Sequence, residues 1–180
     1  MAQLTLEEQL HKIFANVNDW LKFSEAKNAM LIAFNSASIF GTLKMYDFQF
    51  IKDNPQLKIY LMVIIIMLIF STVLSLISFA PRVKMVKEGL FADGTDSNVL
   101  FFEYLKNKTA IEILKEISGE TDEKKFTKME IDIAEQIKQN SIVASRKFSY
   151  FTISVWITIV AYITIPLAGI FCLYTYINKK

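Results

Sequence analysis

Residues 59–80 read IYLMVIIIMLIFSTVLSLISFA, a run of 22 residues without a charge. At about 1.5 Å rise per residue such a helix is roughly 33 Å long, enough to cross a hydrocarbon core of about 30 Å. Pro81 and Arg82 end the run abruptly. Two further apolar blocks flank it. Residues 149–178 contain no charge over 30 residues, and the pattern predicts a second strong span there. Residues 28–43 are uncharged over only 16 positions, roughly 24 Å of helix. They span if Lys27 and Lys44 reach out to the interfaces.

The whole chain of 180 residues is 53% hydrophobic, and the excess sits in these blocks. Blocked apolarity marks a membrane protein rather than a large soluble core. A net charge of +2 is too small to argue for nucleic acid. The single cysteine, Cys172, permits no internal disulfide and gives no zinc spacing. Five glycines and three prolines favour long helices over turn-rich β structure. Residues 1–27 carry charges throughout, so no cleavable leader is expected.

The fold class predicted is an all-α membrane protein with three transmembrane helices. A small helical cytoplasmic domain lies between the second and third, and long helices extend from the membrane as stalks. The divisions are a cytoplasmic amphipathic helix at 1–27, span 1 at 28–44, a short external loop at 45–57, span 2 at 58–80, the cytoplasmic domain at 81–148 and span 3 at 149–178. Lys and Arg set the direction. Residues 1–27 and 81–148 together hold 15 of them, against 5 in 44–58 and the C-terminal tail. The positive-inside rule puts the richer side in the cytoplasm.

Within the cytoplasmic segments, Leu6, Leu10, Ile13, Phe14, Val17, Trp20, Leu21 and Phe23 form a helical stripe that runs into span 1 without Gly or Pro. Asp96-Ser-Asn precedes Val99 as an N-cap, and one helix is expected from there to about Ile117, stopped by Ser118-Gly119. A third helix is expected over 127–148, with Met129, Ile133, Ile137, Ala144 and Phe148 near one face. The loop Asp93-Gly-Thr-Asp-Ser-Asn is a capped turn rather than a calcium loop, because the twelfth position is Tyr104 where a glutamate is needed. No metal site is expected. His11 is a lone surface histidine, and no phosphate-cradling glycine loop or nucleophile motif is present, so nothing marks an enzyme.

The least oily apolar block, AKNAMLIAFNSASIFG at 26–41, carries two asparagines. Ala29, Ala33, Ala37 and Gly41 recur every fourth residue, a row that lets another helix approach closely. Asn28, Asn35 and Thr42 recur every seventh on a second stripe. An asparagine amide against lipid is costly, so Asn35 should face protein or a polar pathway. The two arginines, Arg82 and Arg146, stand at the cytoplasmic mouths of spans, as interfacial anchors or as an anion site beside Gln136, Asn140 and Lys147. Pro166, three residues before Gly169, breaks one helical hydrogen bond in span 3 and is either a static kink or a hinge.

Three stretches together, NDWLKFSEAKNA at 18–29, NVLFFEYL at 98–105 and AEQIKQNSIVASRKF at 134–148, resemble the transmembrane effectors of the Pycsar antiphage system. The resemblance implies a non-enzymatic effector, without a cofactor, that is activated by a cyclic pyrimidine nucleotide, cyclic UMP or cyclic CMP. A partner nucleotide cyclase would make this ligand. The effector would then impair the bacterial inner membrane as a homo-oligomer, causing abortive infection. With that ligand in view, Phe102 and Tyr104 are candidates to stack on a base, and Gln136, Asn140 and Arg146 to bind polar groups and phosphate. The alternative is a membrane anchor that recruits a partner through its cytoplasmic helical domain.

Overall fold

The computed structural model describes residues 5–80 and 98–178, with side chains as far as Pro166. Among the described residues the regular structure is helical, with no strand: α1 (Leu6–Met45), α2 (Gln49–Lys52), α3 (Pro55–Ile77), α4 (Phe102–Leu105), α5 (Ala110–Ser118) and α6 (Lys128–Asn178). Arg82 and the start of the Asp93–Asn98 loop lie outside the described residues. The chain divides into two compact units. Unit 1 takes residues 1–26 and 81–149, and unit 2 takes 27–80 and 150–180, so α1 and α6 each contribute to both.

Unit 1 has a conventional apolar interior. Leu10, Ile13 and Val17 of α1 meet Leu105 of α4, Ala110, Ile113 and Leu114 of α5, and Ala134 and Ile137 of α6. The spacings of three and four residues keep these side chains on one face of each helix. Three of the helices start in the same way. Thr5, Thr109 and Thr127 each accept a hydrogen bond from the backbone of Glu8, Glu112 and Glu130, and each of those carboxylates accepts the threonine backbone N–H in return. These capping boxes satisfy donors that the first helical turn leaves unpaired.

The second of them corrects an expectation. Instead of one helix from Val99 to about Ile117, the chain breaks over 106–109 and begins α5 again at Ala110. The hydroxyl and backbone of Thr109 are worth more to the helix as an N-cap than as interior residues, and threonine is a poor interior former. Gly119, at φ 70°, closes α5 in the left-handed region that glycine enters most easily. Thr109→Ala is expected to cost unit 1 about 1 kcal/mol, read as a lower urea midpoint. The backbone N–H of Thr109, followed by its hydroxyl, holds the Glu112 carboxyl below its ordinary pKa. A carboxyl depressed on folding stabilises above its unfolded pKa and loses that contribution as pH falls through the folded one. Acidification through that range should therefore lower the protection of amides in the first turn of α5 relative to their intrinsic exchange rates, and Glu112→Gln should flatten the response.

Unit 2 is arranged the other way round. On α3 the buried positions are Leu61, Ile64, Leu68, Ser71 and Ser75, continued by Ser78 just past its end, one face at alternating intervals of three and four. Its other faces expose Ile59, Met62, Val63, Ile66, Ile69, Phe70, Val73 and Leu76. Asn28, Asn35 and Thr42 of α1 and Ser154 and Thr158 of α6 are buried, while Met30, Phe34, Phe40, Trp156, Val160 and Ile163 are exposed. Ile51, Leu61, Ile64, Leu68 and Ala161 form an apolar cluster. Tyr46 donates to the carbonyl of Lys58 at 2.8 Å across the α1–α3 hairpin. An oily exterior around a partly polar interior is stable in hydrocarbon, not in water. Among the described residues two helices are long and apolar enough to cross a membrane: α3, and α6 over Lys128–Pro166. α1 is not among them, because Asn28, Asn35, Ser36, Ser38 and Thr42 lower the apolarity of its second half.

Candidate functional site

Two groups of side chains carry the chemistry. The first is in unit 1, around the C-terminal end of its α1 segment. Phe102 is 4% exposed and stacks on Phe148 with ring centres 5.2 Å apart and planes 12° off parallel. Trp20 packs against both rings and against Phe101 and Phe23, at 5.7 to 6.3 Å. Polar contacts tie the same elements together. The Asn16 amide donates to the Leu100 carbonyl at 2.6 Å, and the Asn140 amide donates to Asn18 Oδ1 at 2.8 Å. Lys147, itself buried, pairs with Glu25. Lys106 pairs with Glu103 and donates to Ser145 at 3.0 Å.

The sequence-derived ligand candidates are distributed rather than gathered. Phe102 is part of the aromatic cluster. The Tyr104 hydroxyl donates to Glu116 Oε1 at 2.5 Å, and Lys108 lies 4.9 Å from the centre of its ring. That tyrosine contact raises the Lys108 pKa. Asn140 is committed to Asn18. Gln136 is exposed and borders an open apolar groove of about 470 Å³ with His11, Phe14, Lys128, Met129, Asp132 and Ile133. Arg146 stands about 15 Å further along α6 than Gln136. Its Nη1 is buried and makes no hydrogen bond. Among the described residues no group of three His, Cys, Asp or Glu side chains could hold a metal ion.

The second group is the interior of unit 2. The Asn35 amide donates to Ser71 Oγ at 2.9 Å, and its Oδ1 accepts from Thr158 Oγ1 at 3.1 Å. Ser71 Oγ lies 2.9 Å from Thr158 Oγ1, and the carbonyl of Ser154, 2.8 and 3.0 Å from these two hydroxyls, is an alternative acceptor for their single protons. One asparagine thus joins α1, α3 and α6 through neutral groups, and no charged side chain is buried in this unit among the described residues. Asn28 is fully buried on the same stripe of α1. The small-residue row faces elsewhere: Ala29, Ala33, Ala37 and Gly41 are all exposed, and nothing lies within 4 Å of a Cβ built on Gly41. Pro166 is exposed, and α6 continues past it and Gly169 to Asn178.

A family model for the Pycsar effector protein domain, PycTM, matches residues 9–174. The chain belongs to that family. No curated protein and no solved structure matches it. Membership puts the chain among the Pycsar effectors of antiviral defence, and its two apolar helices put it with those associated with a membrane.

Reading the sequence of this Pycsar effector missed the partners of Asn35. A signal was present: Ser71 and Ser75 on α3 and Ser78 at its C-terminal end repeat at the helical spacing of a buried face. The Glu25–Lys147 and Asn18–Asn140 pairs left no such trace, since each joins residues 122 positions apart.

Proposed function

We propose that this Pycsar effector is a ligand-gated membrane protein. A cyclic pyrimidine nucleotide, cyclic UMP or cyclic CMP supplied by a partner cyclase, binds the cytoplasmic unit. The bound protein then breaches the bacterial inner membrane as a homo-oligomer and stops the infected cell. The observation that carries this reading is the inside-out build of unit 2, whose neutral hydrogen-bonded interior is enclosed by exposed apolar side chains. A pathway through a bilayer needs such groups, and a passive anchor does not. In this reading residues 28–44 are the third span, and Asn35 makes that span tolerable by hydrogen-bonding inside the bundle. The N-terminus and residues 81–148 are cytoplasmic, following the 15-to-5 excess of basic residues.

Of the five ligand candidates, Arg146 keeps a buried donor without a hydrogen bond and is the proposed phosphate contact, with Gln136 exposed on the same helix. Oligomerisation uses the exposed row Ala29, Ala33, Ala37 and Gly41, where a second helix can come close. Pro166 and Gly169 supply the hinge in span 3.

The test is release of dye from liposomes containing the purified protein. Leakage is expected with cyclic UMP or cyclic CMP and not without, and Asn35→Leu should abolish it. If Asn35→Leu leaks like wild type, Asn35 serves packing alone. The groove bordered by His11, Met129 and Gln136 favours a second reading, an anchor that recruits a partner through its cytoplasmic helices. No leakage and no binding of either nucleotide would leave that reading standing.

A further inference from the structure

The polar ring of Asn35, Ser71 and Thr158 is closed, but on one side of it the hydroxyls are not. Ser75 and Ser154 are 0% exposed and Ser78 is 3% exposed, yet none of the three hydroxyl oxygens has a hydrogen-bond partner. Their positions agree. Ser75 lies one turn beyond Ser71 on the buried face of α3, about 6 Å along the axis, and Ser78 about a turn further. Ser154 lies one turn before Thr158 on α6. Because α1 and α3 are antiparallel across the Tyr46–Lys58 contact, all three fall on the side of the ring toward Asn28, which is itself fully buried.

Hydroxyls in apolar surroundings have a default way out, which is to donate to the carbonyl one turn back. Ser36, Ser38, Thr42 and Thr72 in the same unit do this at 2.7 to 2.8 Å. Ser75, Ser78 and Ser154 do not. A buried hydroxyl without a partner has given up its hydration for nothing, so three on one side of a single interface call for an acceptor or donor from outside the chain. A metal ion fits poorly, since the surrounding groups are neutral and, among the described residues, no buried carboxylate balances its charge. Water fits by its chemistry, because it both donates and accepts and is held by two to four polar partners, and α3 and α6 part slightly to admit it, since Ser75 and Ser154 expose no surface.

We propose that Ser75, Ser78 and Ser154 form an internal water site in the membrane unit. It extends the Asn35 ring into a hydrated seam toward Asn28. Along this seam water can replace helix-to-helix hydrogen bonds, so it is where α1, α3 and α6 part most easily. The site belongs to the resting protein and holds whichever ligand, if any, acts on unit 1.

The experiment is water-edited solid-state NMR on the full chain in liposomes, without nucleotide, with serine and leucine isotopically labelled. Magnetisation from water is expected to reach Ser75 and Ser154 several-fold faster than Leu68, which is equally buried on the same face of α3 but apolar. Build-up at Ser75 and Ser154 as slow as at Leu68 would overturn the proposal. It would mean that these hydroxyls have turned onto the carbonyls of Ser71 and Tyr150. Neither outcome depends on nucleotide binding or leakage, so the functional reading and the water site stand or fall separately.

Discussion

Phe102→Ala is expected to cost unit 1 about 3–5 kcal/mol, the usual range for removing a buried aromatic ring. The ring is 4% exposed, lies flat on Phe148 and packs 5.7 Å from Trp20. Its loss opens a cavity where three elements meet and removes ring pairings worth about 0.5–1.5 kcal/mol each. A domain is commonly stable by only about 5–15 kcal/mol, so the variant should unfold at a far lower urea concentration. Trp20 reports on this directly through its fluorescence, in a Trp156→Phe background. Phe101→Ala, at the exposed rim of the same cluster, should cost about 1 kcal/mol or less. An unchanged midpoint for Phe102→Ala together with weaker nucleotide binding would instead make this ring part of the ligand site.

The second large effect is on assembly. Ala33→Leu and Ala37→Leu are expected to leave the single chain folded, since both positions are exposed and lie off the buried stripe of Asn28, Asn35 and Thr42. Under the proposed function they should nevertheless dissociate the proposed homo-oligomer and abolish the leakage proposed to follow nucleotide binding. The reason is geometric. A row of small residues matters only because it lets a second helix backbone come close, and a leucine holds that helix off. Chemical cross-linking in liposomes reads the first effect and dye release the second, while circular dichroism checks the fold. Variants that cross-link and leak like wild type would remove this row from the interface.

Local features of unit 1 were legible because their causes are local. The stripe of Leu10, Ile13 and Val17 follows from helical spacing, and the starts at Thr109 and Thr127 follow from a threonine with a glutamate three residues on. The break between α4 and α5 carries the same signature, Thr109 with Glu112, and falls on the polar residues Lys106-Asn-Lys-Thr. The ligand candidates show the opposite case. Phe102, Tyr104 and Asn140 are plausible binding residues by type. What each one does was set by Phe148, Glu116 and Asn18, two of which lie more than a helix away in sequence.

By itself the sequence determined that the chain is helical, that 59–80 and 149–178 can cross a membrane, and that Asn35 must be shielded from lipid. Each of these depends on hydrophobicity and period along one helix. Only the tertiary structure decided which of two neighbouring stripes on α1 turns inward. Asn28 and Ala29 differ by about 100° around the axis, a difference that no single-helix argument ranks. The asparagine stripe won because Ser71 and Thr158 arrive from distant segments to complete its hydrogen bonds, which leaves the small-residue row on the outside.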